Sequence, residues 1–94
     1  MKHRSPGKIG RYRIRRFLGS GTMGRVYKVI LPGLDKTAAL KLFTPTKALR
    51  RKFKVSWLKK RFLNEARIIA NIRHPNVAGI WNLETRGPDI FYIM

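Results

Sequence analysis

Between positions 11 and 18 apolar and charged residues alternate: Tyr12, Ile14 and, after a slip of one position, Phe17 and Leu18 are interleaved with Arg11, Arg13, Arg15 and Arg16. A period of two predicts a strand with one wet face. Val26, Tyr27, Val29, Ile30 and Leu31 are β-branched and aromatic enough for a second strand. Pro32-Gly33 and Asp35-Lys36 then break the chain. A third strand is predicted over 37–43, in which Lys41 lies between Leu40 and Leu42 and so points to the face opposite both. From 57 to 73 the period changes. Leu58, Phe62, Glu65, Ile69 and Ile72 recur at helical spacing on one stripe, with Lys59, Lys60, Asn64, Arg67 and Asn71 roughly opposite. His74 precedes Pro75 and is pushed out of the helical region, so the helix ends before it. A fourth strand is predicted over 80–83, a turn over 84–88 and a fifth strand over 89–94.

Charge changes the picture more than any single element does. There are 22 Lys and Arg against 4 Asp and Glu, a formal net charge of +18 in 94 residues. Such a chain attracts polyanions: a nucleotide triphosphate, an acidic partner, or nucleic acid held non-specifically through counterion release. The excess is densest over 47–61, where Lys47, Arg50, Arg51, Lys52, Lys54, Lys59, Lys60 and Arg61 are interrupted by Leu49, Phe53, Val55, Trp57 and Leu58 with no acid among them. A small nucleic-acid binder shows that mixture, and so does a solvated helix surface with a few core anchors.

Other classes drop out. With 44% hydrophobic residues the chain is too apolar for a disordered segment. The absence of cysteine rules out disulfides and thiolate metal sites, and two histidines without a carboxylate cluster argue against a zinc centre. No apolar run approaches the roughly 18 residues of a membrane span. Residues 1–10 form a basic, flexible lead-in with no apolar run behind it, unlike a secretory signal, so a cytoplasmic setting is expected.

Three features carry candidate chemistry. Leu18-Gly19-Ser20-Gly21-Thr22-Met23-Gly24-Arg25-Val26 has glycines at the spacing of a phosphate-covering loop, which lets backbone approach an anion; alone, the same spacing also describes an ordinary hairpin turn. Lys41 is a cation on an otherwise apolar strand. Glu65 is the only acid between Asp35 and Glu84, yet it falls on the apolar stripe of the helix. A carboxylate there calls for a cation, and Lys41 is the candidate; a place at the edge of the stripe beside any neighbouring cation is the alternative.

In this order the elements resemble the N-terminal lobe of a protein kinase. Gly19 to Val26 matches the GxGxxGxV loop, Ala39-Leu40-Lys41 the end of the strand that carries the nucleotide-binding lysine, and Glu65 the helix glutamate that pairs with it. Phe62-Leu63-Asn64-Glu65-Ala66 and His74-Pro75-Asn76-Val77 match the surrounding patterns. Met23 at the loop tip and Gly10-Arg11-Tyr12-Arg13-Ile14 are most like bacterial serine/threonine kinases.

The resemblance implies an α+β fold for residues 11–94, a five-stranded antiparallel sheet with one main helix packed on it. It also implies that ATP is the nucleotide. The backbone from Ser20 to Gly24 would cover its phosphates, Leu18, Val26 and Ala39 would sandwich the adenine, Lys41 would hold the α- and β-phosphates, and Glu65 would orient Lys41. Thr22, Met23 and Arg25 belong to the same loop. Ile69 and Ile80 would join the hydrophobic spine, and Met94 would stand next to the hinge. The catalytic aspartate and the Mg2+ ligands belong to a C-terminal lobe whose HRD and DFG motifs are not in this sequence, so no catalytic residue and no activity are expected of these residues alone. A protein substrate would be met through that lobe. A non-catalytic regulatory module with the same fold is the alternative.

Overall fold

The computed structural model describes residues 7–72, 74–76 and 79–94. Most of the basic lead-in, Arg73 at the expected helix end and Val77 of the His74-Pro75-Asn76-Val77 match lie outside the described residues. Six strands, β1 (Lys8–Ile9), β2 (Tyr12–Ser20), β3 (Gly24–Leu31), β4 (Lys36–Phe43), β5 (Asn82–Arg86) and β6 (Asp89–Ile93), form one sheet in the order β1-β2-β3-β4-β6-β5. Every pairing is antiparallel. Helices α1 (Lys47–Lys52) and α2 (Val55–Asn71) lie between β4 and β5.

The architecture is therefore α+β, with one strand and one helix more than the patterning predicts. β1 has two residues, too short to show a period. It forms because Gly10, at φ 57°, turns the chain so that Ile9 pairs with Tyr12 and is 2% exposed. Helix α1 is a single apolar anchor among cations, and its start is set by Thr46, whose Oγ1 accepts the Leu49 N–H at 3.3 Å.

Alternation along the central strands divides the apolar residues between two faces. Tyr27, Val29, Leu31, Leu40, Leu42, Phe91 and Ile93 pack with Ile9 and Tyr12 in one cluster. Phe62 and Ala66 of α2 pack with Ile90 and Tyr92 in the other, with Phe43, Met23, Ile80 and Met94 against them. Phe62 is the centre of this second cluster, with ring centroids 5.2 Å from Phe43 and 5.3 Å from Tyr92.

The register of β2 against β3 slips twice, between Ile14 and Arg16 and between Phe17 and Gly19. The second slip leaves Leu18 as an extra residue on β2, exposed at the mouth of the glycine loop. The turn predicted over 84–88 is tighter than expected. Gly87, at φ 59°, closes a two-residue hairpin, so that Glu84, Thr85 and Arg86 join β5.

Candidate functional site

The glycine stretch is the β2–β3 hairpin. Its turn is closed by the Gly21 N–H donating to the Gly24 carbonyl at 2.8 Å, and its tip is fastened from outside. The Thr44 N–H donates to the Met23 carbonyl at 2.9 Å and the Thr46 N–H to the Thr22 carbonyl at 3.0 Å. The hairpin thus leans on the segment that links β4 to α1.

Beneath it is a cleft of about 600 Å³ lined by Leu18, Gly19, Ser20, Gly21, Thr22, Met23, Gly24, Val26, Lys41 and Glu65. Three distant parts of the chain therefore meet at one concave surface. Lys41 reaches it because it alternates with Leu40 and Leu42, both buried in the opposite cluster. In register it lies between Val26 on β3 and Tyr92 on β6.

The three glycines are not equivalent. A Cβ on Gly24 would stand 2.5 Å from the Leu42 carbonyl oxygen and 3.3 Å from Lys41 Cε, so β3 and β4 can approach only over a glycine. A Cβ on Gly19 or Gly21 would meet nothing within 4 Å, and neither has a positive φ.

Glu65 departs from the expected burial. The buried side of α2 is Leu58, Phe62 and Ala66, at a spacing of four, and not the stripe that included Glu65 and Ile72. Small Ala66 lies against the sheet, which rotates Glu65 to the border, exposed and facing the cleft. Lys41 and Glu65 line the same cavity, yet they make no ion pair among the described residues. Tyr92 is close enough to Glu65 to feel its charge: burial, and then that carboxylate, raise the Tyr92 phenol above its usual value of 10.

Two expected site residues do not line this cleft. Ala39 is half-buried on β4, and its N–H and carbonyl exchange hydrogen bonds of 3.3 and 2.7 Å with Met94. Arg25 alternates with Gly24 and Val26 and faces a different cleft, bounded by α1. Of the two spine candidates, Ile80 packs against the α2 cluster, whereas Ile69 is half-buried outside it.

A polar cluster between β2 and β5 has no signal in the sequence. The Tyr12 hydroxyl donates to Glu84 Oε2 at 2.9 Å, and Asn82 Nδ2 donates to the same oxygen at 2.7 Å. No local pattern reports a contact across 72 residues.

No protein-family model matches the chain. Among curated proteins it is 36% identical over 84 residues to the serine/threonine-protein kinase PknD of Chlamydia pneumoniae, an alignment covering 89% of this chain and 8% of that protein. It is likewise 36% identical over 69 residues to the serine/threonine-protein kinase PknJ of Mycobacterium tuberculosis, covering 73% of this chain and 11% of PknJ. The chain thus spans a small part of the curated relatives it matches. Among solved structures, the kinase domain of Mycobacterium tuberculosis PknI superposes with a TM-score of 0.67 at 26% identity, covering all of this chain and 36% of that one. In sequence and in fold the chain is the counterpart of the N-terminal lobe of bacterial serine/threonine protein kinases.

Proposed function

We propose that the cleft under the β2–β3 hairpin takes the triphosphate of ATP, and that the chain is the nucleotide-binding part of a serine/threonine protein kinase. Such an enzyme transfers the γ-phosphoryl group to protein hydroxyls. The observation that supports this reading most directly is the contrast among the glycines. Gly24 is required by its own sheet, whereas nothing within 4 Å of Gly19 or Gly21 excludes a side chain. A backbone kept bare over an open cleft suits close approach by a polyanion.

The donors are in keeping with that ligand. The Gly21 N–H is already committed to Gly24, but those of Thr22 and Met23 make no hydrogen bond among the described residues. Lys41 supplies the positive charge within the cleft, where it would neutralise the α- and β-phosphates. Leu18 and Val26 offer apolar surface to the base, and the methyl of Ala39 would complete it. Glu65 would hold Lys41 in position on moving up to it from the cleft border. Phosphoryl transfer depends on placing the γ-phosphate and offsetting its charge, and these residues would contribute the first half of that task.

Mg2+ is the metal the family implies, and when bound it would offset the charge of the phosphates. Glu65 is the single carboxylate lining the cleft, so these residues do not themselves fit a Mg2+ site. Its protein ligands, like the base for the substrate hydroxyl, would come from a C-terminal lobe. The 94-residue chain is accordingly proposed to bind ATP without transferring its phosphate.

Titration with a fluorescent ATP analogue tests this. Lys41→Met is expected to weaken binding by about ten-fold or more, the loss of one charge-assisted contact, with an unchanged melting curve. Equal affinity in the variant would remove Lys41 from the role. ATP-dependent phosphorylation of a generic Ser/Thr substrate by the chain alone would contradict the division of labour.

A further inference from the structure

The hairpin has a second cleft beyond it, on the side of α1. It measures about 820 Å³ and is bounded by Ser20 and Gly21 of the hairpin, Arg25 on β3, Thr46, and Lys47 and Arg50 on α1. Three cations from two separate elements therefore converge on one concave surface. None of them has an ion-pair partner among the described residues, and no acidic residue lines the cleft. Like charges gathered in a concavity repel one another and focus a positive potential, which an entering anion relieves.

The neutral groups point to the kind of anion. Thr46 Oγ1 accepts the Leu49 N–H at the start of α1, which leaves its own O–H free to donate. Thr44, also on the lining, has a buried hydroxyl oxygen with no hydrogen-bond partner. Ser20 supplies another hydroxyl at the hairpin wall. Guanidinium groups in a fork geometry together with hydroxyl donors suit tetrahedral oxyanions, because several oxygens are met at once.

A site for a strand of nucleic acid is less well matched. The aromatic residues nearest in sequence, Phe53 and Trp57, are stacked on each other at 4.7 Å, and Arg61 lies 5.4 Å from the Trp57 ring centre. Their faces are partly used within the protein and do not stand as a bare platform for bases.

We propose that the cleft between the hairpin and α1 is a phosphate-binding site distinct from the nucleotide cleft, taking a tetrahedral phosphate dianion that arrives either as free phosphate or as the monoester on a phosphorylated side chain. The two clefts share Ser20 and Gly21 as a common wall. Arg25, which the family resemblance assigns to the nucleotide loop, belongs to the second.

The test is a titration of the 94-residue chain at low ionic strength, followed by amide NMR, with inorganic phosphate, a phosphothreonine peptide and the same peptide unphosphorylated. Shifts are expected at Thr44, Thr46 and Lys47, with the unphosphorylated peptide silent. The triple variant Arg25→Gln, Lys47→Gln, Arg50→Gln is expected to bind about ten-fold or more weakly, whereas Arg16→Gln with Arg67→Gln, exposed cations elsewhere, stays within about two-fold. Lys47→Gln and Arg50→Gln are also made singly, since both residues are exposed and each change is tolerated by the fold. Lys41→Met is expected to leave phosphate affinity within about two-fold, which separates this site from the ATP reading. A peptide that outcompetes free phosphate identifies the phosphorylated side chain as the source; equal or better binding of free phosphate identifies the ion. Equal weakening by both charge-removing sets, loss of phosphate binding on Lys41→Met, or tighter binding of a single-stranded oligonucleotide than of either phosphate would overturn the proposal.

Discussion

Gly24→Ala separates the structural glycine from the two over the cleft. The added Cβ would lie 2.5 Å from the Leu42 carbonyl oxygen, well inside contact distance, and 3.3 and 3.4 Å from Lys41 Cε and Cγ. The oxygen belongs to β4, which is held on one side by β3 and on the other by β6, so it does not move aside as a side-chain tip would. Separating β3 from β4 at Gly24–Phe43 is the remaining outcome. Overpacking of this kind costs about 1–3 kcal/mol. Taking about 2 kcal/mol, a domain of this size loses roughly 8–16 °C in Tm. Gly21→Ala provides the contrast. It meets nothing within 4 Å at an ordinary φ, so its Tm is expected to stay level or rise slightly through a less flexible unfolded chain. Its ATP affinity is expected to fall, because the new methyl would stand over the cleft. Differential scanning fluorimetry and analogue titration, run on both variants, give two readouts that move in opposite directions. A Gly24→Ala protein that melts within about 2 °C of the parent would refute the steric argument.

Three further outcomes follow from particular contacts. Lys54 caps α2 with no side-chain hydrogen bond, and the first turn has no acid, so Lys54→Asp is expected to stabilise the chain by about 1 kcal/mol, read as a higher midpoint in urea. Tyr12→Phe keeps the edge-on packing with Phe91 but removes one of the two donors to Glu84, with an expected cost of about 1–2 kcal/mol in the same assay. The Tyr92 phenol, raised by burial and by Glu65, is expected to ionise later than Tyr in the unfolded chain. Because the folded state then holds a proton that the unfolded state has released, stability from this group is complete below about pH 10 and is lost as pH rises through the folded value. Absorbance titration near 295 nm should show a late-titrating tyrosine that disappears in Tyr92→Phe.

What was legible in the sequence was whatever depends on near neighbours. Leu40, Lys41 and Leu42 alternate, and that alone directs the lysine away from the apolar cluster. The helix over 57–73 is found at Val55–Asn71, because its period is carried by bulky residues such as Leu58 and Phe62. The face of the helix was harder to read. Spacings of three and four fit Glu65 as well as Ala66, and only the sheet beneath decides that the small residue goes inside. The cleft assembles residues from 18 to 65 through pairings of β2, β3 and β4 and the packing of Phe62, which no local window contains. The link from Tyr12 to Glu84 was invisible for the same reason. Helix α1 had one usable local signal, Thr46 ahead of Leu49, but six residues rich in cations show no apolar period.

The two bonds from Thr44 and Thr46 to the tip of the hairpin bear on how the cleft opens. With Met23 and Thr22 held at 2.9 and 3.0 Å, the flap does not swing alone. A nucleotide, as proposed for this cleft, would enter either when both bonds part together or when the 44–46 segment travels with the flap, drawing α1 after it. In the first case the amide protons of Thr44 and Thr46 exchange with solvent at one shared rate; in the second they stay protected while the flap moves. Deuterium uptake at those two amides therefore distinguishes a breaking latch from a moving hinge.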